Sequence, residues 1–162
     1  MTENSKINRL FLPSLMLSYF VIELPRLLIS LLLIDIALTF STSVGSMSQI
    51  NTIGSTVAII FAFLTAALSV KFRHKSLLLI GLSILIISAL GCALASNFIF
   101  ILLAYSLTGI ALAMASPMGI TLIGEYFPLE KRATAIGWIN AGSSLSYLIG
   151  APVIALIAGI KD

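Results

Sequence analysis

The amino-acid sequence predicts an all-α integral membrane protein with five transmembrane helices. Apolar residues make up 59% of the 162 residues, and charged residues make up only 9%. A soluble domain carries roughly 25% charged residues, so this chain could not cover a globular surface in water. That composition excludes a soluble enzyme, a disordered protein and a nucleic-acid-binding protein. Two further observations support the prediction: five long apolar stretches, and basic residues that fall in alternate connections between them.

Each of the five stretches is long enough to cross a bilayer, which takes about 20 mostly apolar residues. The first, 10–33, is interrupted by Glu23 and Arg26. Its apolar run is too long for a cleavable signal peptide, so we expect the protein to retain it as a helix. The other four expected spans are residues 47–70, 76–95, 97–123 and 133–160.

The distribution of basic residues predicts the orientation in the membrane. Two bases precede the first span, three lie between the second and third, and two lie between the fourth and fifth, whereas the other two loops have none. Because basic residues mark the cytoplasmic side, the N-terminus is expected to be cytoplasmic. We expect a multi-pass protein of the plasma (inner) membrane. Five crossings would place Asp162 outside. The seven bases are Lys6, Arg9, Lys71, Arg73, Lys75, Lys131 and Arg132.

Rows of small residues predict which helices pack closely, since lipid provides no hydrophobic drive for helix association. The second span has a row of four small residues spaced four apart, and the fifth span has two rows of three at the same spacing. We therefore expect these two spans to be packing helices. The rows are Gly54, Ala58, Ala62 and Ala66 in the second span, and Ala133, Gly137, Ala141 and Gly142, Ser146, Gly150 in the fifth.

Glu23 and Arg26 are the strongest candidates for a transport pathway. Charged groups at mid-depth are costly in lipid and usually face a water-filled cavity or a partner. The two residues are three positions apart, so they share a helix face, and Pro25 between them removes a backbone donor. Kinked or broken helices with such groups are typical of transport sites. The alternative is a self-neutralised structural pair buried between helices.

Tyr105 and Asn140 are weaker candidates for the same pathway. Tyr105, like Tyr147, can hydrogen-bond a substrate, with packing as the alternative role for both, and Asn140 needs a hydrogen-bond partner at its depth. The single Cys92 and the single His74 exclude an intrachain disulfide and the usual zinc sites. We expect no metal, no cofactor and no enzymatic activity, because no nucleophile–base pair or metal-ligand set is visible.

The two base-containing loops between spans differ in charge: the one between spans two and three is purely basic, whereas the one between spans four and five also carries acidic residues. They either anchor the protein and set its topology, or form a salt-bridge cluster that clamps the cytoplasmic face in one state and opens in another. In the second interpretation Glu125 or Glu130 contacts Lys71, Arg73 or Arg132. The candidate gate residues are Lys71, Arg73, Lys75, Glu125, Glu130 and Arg132.

Several motifs, in the right order, resemble the N-terminal half of a major facilitator superfamily transporter. The family's loop between helices two and three reads roughly Gly-x-x-x-Asp-Arg-x-Gly-Arg-Arg, and residues 66–75 occupy that slot. They keep bases at Lys71 and Lys75 but have Val70 in place of the Asp. Residues 125–132 resemble the loop between helices four and five, and 146–152 resemble the Gly-Pro motif of exporters. Tyr105 stands where the family's fourth helix usually carries an Arg.

The resemblance covers nearly the whole chain and implies a partial N-terminal domain, residues 1–162, of a twelve-helix protein. In that family the substrate site lies between two halves. It implies transport of a small solute by alternating access in a secondary active transporter. The implied partners are the lipid bilayer, a small-molecule substrate, and a missing C-terminal half or second chain. The alternative is a short non-transporting membrane protein that acts as a structural or regulatory subunit.

The sequence leaves the chemistry of the substrate open. Arg26 can hold an anion, whereas Glu23 can meet a cation. Glu23 is also the carboxylate that lies well inside a span, so it is the candidate for any coupling to protons.

Overall fold

The computed structural model describes residues 10–159, apart from the side chain of Ala158. Within that range the protein consists of five α-helices and contains no strand, so the all-helical prediction is confirmed. The predictions made for Lys6, Arg9 and Asp162 fall outside the described residues. The helices are α1 (Phe11–Thr39), α2 (Val44–Ser69), α3 (His74–Ala93), α4 (Phe98–Tyr126) and α5 (Leu129–Gly159).

Four of these helices, α2 to α5, are long and apolar enough to cross a membrane. The remaining helix, α1, has 29 residues, the same length as α4, but carries Glu23, Arg26 and Asp35. It packs along α5, which is one of these four helices. We therefore treat α1 as a membrane span as well, which gives five in total.

Both α1 and α5 extend beyond the apolar stretches that predict them. Helix α1 continues to Thr39 instead of residue 33, which places the exposed Asp35 within its last turns. Helix α5 begins at Leu129 instead of residue 133, directly after Pro128. Charged residues at the end of a spanning helix can reach the polar interface, so they do not terminate the helix where the apolar run stops.

Helix α4 packs against α2 and α3, while α5 packs against α1. The approach of α2 to α4 depends on Gly109, because a Cβ atom there would collide with the carbonyl oxygen of Gly54 and lie 3.1 Å from the amide nitrogen of Ala58. Gly142 of α5 has the same role opposite the carbonyl oxygen of Met16 in α1. Small residues therefore set the closest contacts of the bundle, as expected in lipid.

The predicted small-residue rows are only partly buried. In α5 the row that begins at Gly142 faces α1, whereas the row that begins at Ala133 is exposed along its length. In α2, Gly54 is buried against α4, but Ala62 and Ala66 are exposed. The prediction that α2 and α5 are packing helices is thus correct for one face of each helix.

Contacts between α1 and α5 show that the two helices run in the same direction. Met16 lies opposite Gly142, and Leu27, later in α1, lies opposite Gly150, later in α5. If every helix crosses the membrane, all odd-numbered helices must run in the same direction, and the α1–α5 contacts agree with this.

Two hydrogen-bonded contacts join helices in the core. The Ser88 hydroxyl donates to the carbonyl oxygen of Ala104 at 2.8 Å, and its oxygen lies 2.7 Å from the Thr108 hydroxyl, which joins α3 to α4. The Tyr19 hydroxyl of α1 donates to the carbonyl oxygen of Ser116 in α4. Among the described residues, no buried side-chain nitrogen or oxygen lacks a partner.

Candidate substrate site

A polar cavity of about 330 Å³ lies between helices α1, α2, α4 and α5. This volume falls within the range of small-molecule sites. The polar groups of its wall come from all four helices: Arg26 and Ser30 of α1, Asn51 and Ser55 of α2, Tyr105 and Thr108 of α4, and Tyr147 of α5. Since the surrounding helices are apolar, this concentration of polar groups stands out within the described part of the bundle.

The structure places Arg26 in the cavity wall and Glu23 beside it. Arg26 Nη1 lies 3.9 Å from Glu23 Oε2, and their side chains are 52% and 19% exposed respectively. The same Glu23 oxygen accepts a hydrogen bond from the Tyr147 hydroxyl at 3.4 Å. Glu23 therefore links α1 to α5, whereas much of the Arg26 guanidinium remains available to a molecule in the cavity.

Tyr105 reaches the same cavity from α4. Its side chain is buried, and its hydroxyl donates to Asn51 Oδ1 at 3.4 Å. Gly54, one turn further along α2, leaves room for the tyrosine ring, since a Cβ atom there would lie 3.2 Å from it. Tyr105 and Arg26, two of the four predicted pathway residues, thus line one cavity with Glu23 next to it.

Sequence reasoning missed Asn51 and included Asn140, which the structure leaves apart from the cavity. Asn140 is exposed on α5 and is not among the cavity-lining residues. Asn51 and Ser55 are four positions apart, as are Arg26 and Ser30, so each pair shares a helix face. A search for polar pairs at that spacing inside apolar spans would have found both walls of the cavity.

The other predicted cluster lies at the end of the bundle where α2 meets α3 and α4 meets α5, which we call the basic end. There Glu125 Oε1 lies 2.5 Å from Nδ1 of His74, which is not among the predicted gate residues. Arg132 instead donates to the carbonyl oxygens of Gly124 at 2.5 Å and Phe127 at 3.0 Å, so it holds the turn between α4 and α5.

The remaining gate candidates make no ion pair within residues 10–159. Lys71, Arg73, Lys75 and Glu130 are all exposed. The salt-bridge partners predicted for Glu125 were Lys71, Arg73 or Arg132, and the structure replaces them with His74 because the α3 N-terminus lies beside the α4 C-terminus. In the part of the chain that the structure describes, no three His, Cys, Asp or Glu residues could together hold a metal ion.

Comparison with known proteins gives a consistent result. The chain is 33% identical over 135 residues to the "Uncharacterized MFS-type transporter YwfA" of Bacillus subtilis. The aligned residues make up 83% of this chain and 33% of that protein. It is also 33% identical over 148 residues to a "Probable sugar efflux transporter" of Helicobacter pylori. That alignment includes 90% of this chain and 37% of the relative. No solved structure matches significantly.

The chain therefore spans about a third of the length of the curated relatives that it matches. The sequence profile described as "Major Facilitator Superfamily" matches residues 15–161, which is nearly the whole chain. Together with the apolar helices, this match identifies the chain as a multi-pass integral membrane protein that belongs to the major facilitator superfamily.

Proposed function

We propose that this chain is the amino-terminal part of a secondary active transporter that moves a small polar solute by alternating access. The observation that carries the proposal is the polar cavity, whose wall brings Arg26 together with hydroxyl and amide groups from four apolar helices. In a protein as long as the relatives, the rest of the chain would supply the facing wall. The substrate would then bind between the two parts, near the middle of the membrane.

The lining groups favour a neutral, hydroxyl-bearing solute such as a sugar. Arg26 and the adjacent Glu23 carry opposite charges, so they offset each other and leave the site without a net charge. The remaining polar groups are hydroxyls and one amide, which donate to and accept from the hydroxyl groups of a substrate. The relative named a probable sugar efflux transporter supports this substrate class.

Arg26→Ala in the full-length transporter tests the proposal. Transport is measured with a panel of radiolabelled neutral sugars, with lactate as an anionic comparison, and is normalised to the amount of protein in the membrane. We expect sugar transport to fall at least about tenfold, since a hydrogen bond to a charged group contributes about 1.5–3 kcal/mol. Asp35→Asn is the matched control, because Asp35 is an exposed charge on the same helix outside the cavity.

Three results would separate the possibilities. Loss of sugar transport in Arg26→Ala with normal transport in Asp35→Asn supports the proposal. Wild-type transport in Arg26→Ala would show that Arg26 and Glu23 form only a structural pair. Transport of lactate but of no sugar would retain a transport function and refute the neutral substrate class.

We also propose that the basic end faces the cytoplasm, because the connections there carry the bases and those at the opposite end carry none. The test uses Lys71→Cys and, at the opposite end, Ser96→Cys, both exposed positions, in a background in which Cys92 is replaced. An impermeant maleimide added to intact cells should label the cysteine at position 96 and not the one at 71. Labelling at position 71 would refute this orientation.

A further inference from the structure

A second polar cavity, of about 380 Å³, lies at the basic end, away from the proposed substrate site. We call it the basic-end cavity; its wall consists of residues 70–75 together with Leu122, Glu125 and Tyr126. Residues 70–73 connect α2 to α3, and the other lining residues belong to the start of α3 and the end of α4. The proposed transport mechanism gives this cavity no role.

Positive charge dominates the basic-end cavity. Lys71, Arg73 and Lys75 line it, and Glu125 is its one carboxylate. Glu125 Oε1 lies 2.5 Å from His74 Nδ1, so the carboxylate is already engaged. No carboxylate within residues 10–159 forms an ion pair with the three bases. The cavity therefore presents three exposed cationic side chains that the described structure leaves available to an anion.

The start of α3 adds to this preference for an anion. The helix begins at His74, and Arg73 at its N-cap makes no side-chain capping hydrogen bond. The first amide groups of a helix have no partner within the helix and form the positive end of its dipole. The positive end of the α3 dipole therefore adds to the positive charge of the three bases, and phosphate groups commonly bind at such helix ends.

The position of the basic-end cavity in the membrane distinguishes a lipid from a free ion. The cavity lies where α2 and α4 end and α3 begins, and the ends of spanning helices lie at the level of the lipid headgroups. Its wall also includes exposed apolar and aromatic side chains: Val70, which is 86% exposed, Phe72 and Tyr126. Aromatic side chains at this depth are typical of contact with the bilayer interface. Free inorganic phosphate would use the bases and leave this apolar part uncovered.

We propose that the basic-end cavity binds the headgroup phosphate of an anionic phospholipid, whose glycerol and upper acyl region contact Val70, Phe72 and Tyr126. The three bases supply the attraction and outnumber the one carboxylate, Glu125, which is held against His74. Basic pockets between spanning helices are a known type of site for anionic headgroups.

Native mass spectrometry of the 162-residue chain in a neutral detergent tests this proposal. The chain is mixed with equal amounts of phosphatidylglycerol and phosphatidylcholine of the same acyl length, and retained lipid is counted. We expect phosphatidylglycerol to be retained at least about fivefold more than phosphatidylcholine. Arg73→Gln should reduce that preference about fivefold, which is the effect expected of one base near an anionic lipid.

Lys131→Gln is the matched control, because it removes one exposed base at the same end of the bundle from outside the basic-end cavity. It should leave the preference unchanged, and an equal loss in both variants would show only general surface attraction and overturn the site. Lys75→Gln provides a second variant if Arg73→Gln fails to fold as judged by circular dichroism. Equal retention of the two lipids by the wild-type chain would also overturn the proposal. So would displacement of phosphatidylglycerol by an equal concentration of inorganic phosphate, because it would identify a free-ion site.

Discussion

Gly109→Ala should loosen the packing of α2 against α4. The added methyl group would collide with the carbonyl oxygen of Gly54, and it would lie 3.1 Å from the amide nitrogen of Ala58. Both neighbours are backbone atoms, so no side-chain rotation can relieve the contact. The helices must move apart, and Tyr105, which α4 also carries, would shift relative to Asn51 in the polar cavity.

The expected cost follows from two opposing effects. Inserting a methyl group into a close-packed contact typically costs about 1–3 kcal/mol. Alanine in place of glycine favours the helix by about 0.8–1.0 kcal/mol. The free energy of unfolding should therefore fall by up to about 2 kcal/mol. Gly124→Ala is the matched control on the same helix, because a Cβ atom there meets nothing within 4 Å. That variant should be unchanged or gain up to about 1 kcal/mol.

The assay is unfolding of the purified chain in mixed micelles with increasing sodium dodecyl sulfate, followed by far-ultraviolet circular dichroism. The two variants should differ by about 1–3 kcal/mol, with Gly109→Ala the less stable. If Gly109→Ala were as stable as Gly124→Ala, the close approach of α2 and α4 at Gly109 would be refuted.

Two further predictions use the same unfolding assay and concern the buried polar contacts. Ser88→Ala removes a hydroxyl that bonds the carbonyl of Ala104 and the hydroxyl of Thr108, so unfolding should become easier by about 0.5–1.5 kcal/mol, and the cost should shrink in a Thr108→Val background. Tyr19→Phe keeps the ring but removes the donor to the Ser116 carbonyl, so it should cost about 0.5–1.5 kcal/mol, and an unchanged stability would count against this α1–α4 contact.

Length and apolar composition were sufficient to predict the five helices, but not their ends. Apolar residues must cover about 30 Å of bilayer, which makes the middle of each span evident. The ends depend on how far a helix continues into the polar interface, where charged residues are tolerated. Asp35 near the end of α1 and Glu130 at the start of α5 both lie in helix beyond the predicted spans.

Helix packing was predictable only in part, for a related physical reason. In water a helix turns its apolar stripe to the core, but in lipid both faces of a spanning helix are apolar and give no such signal. Small residues are the remaining signal, and α5 carries two rows of them. Sequence alone cannot distinguish the row at Gly142, which faces α1, from the row at Gly137, which is exposed.

The candidate substrate site was predictable to the extent that a polar group costs free energy in lipid. Charges cost most, so Arg26 and Glu23 were evident from the sequence. A neutral amide costs less, and whether it lies inside the bundle depends on helix rotation. For this reason Asn140 was predicted although it is exposed, and Asn51 was missed although it lines the cavity.

The geometry around Arg26 and Glu23 also suggests a division of roles that composition cannot reveal. Glu23 is the more buried of the two and accepts from Tyr147 on α5, so it is tied to a second helix. Arg26 is about half exposed, and its closest approach to Glu23 is 3.9 Å, at the long end of an ion pair. The loosely held guanidinium of Arg26 retains donors for another partner. The carboxylate of Glu23, which is tied to α5, compensates the positive charge of Arg26 within the membrane. We therefore propose that Glu23 compensates the charge of Arg26 and that Arg26 is the group that contacts a substrate.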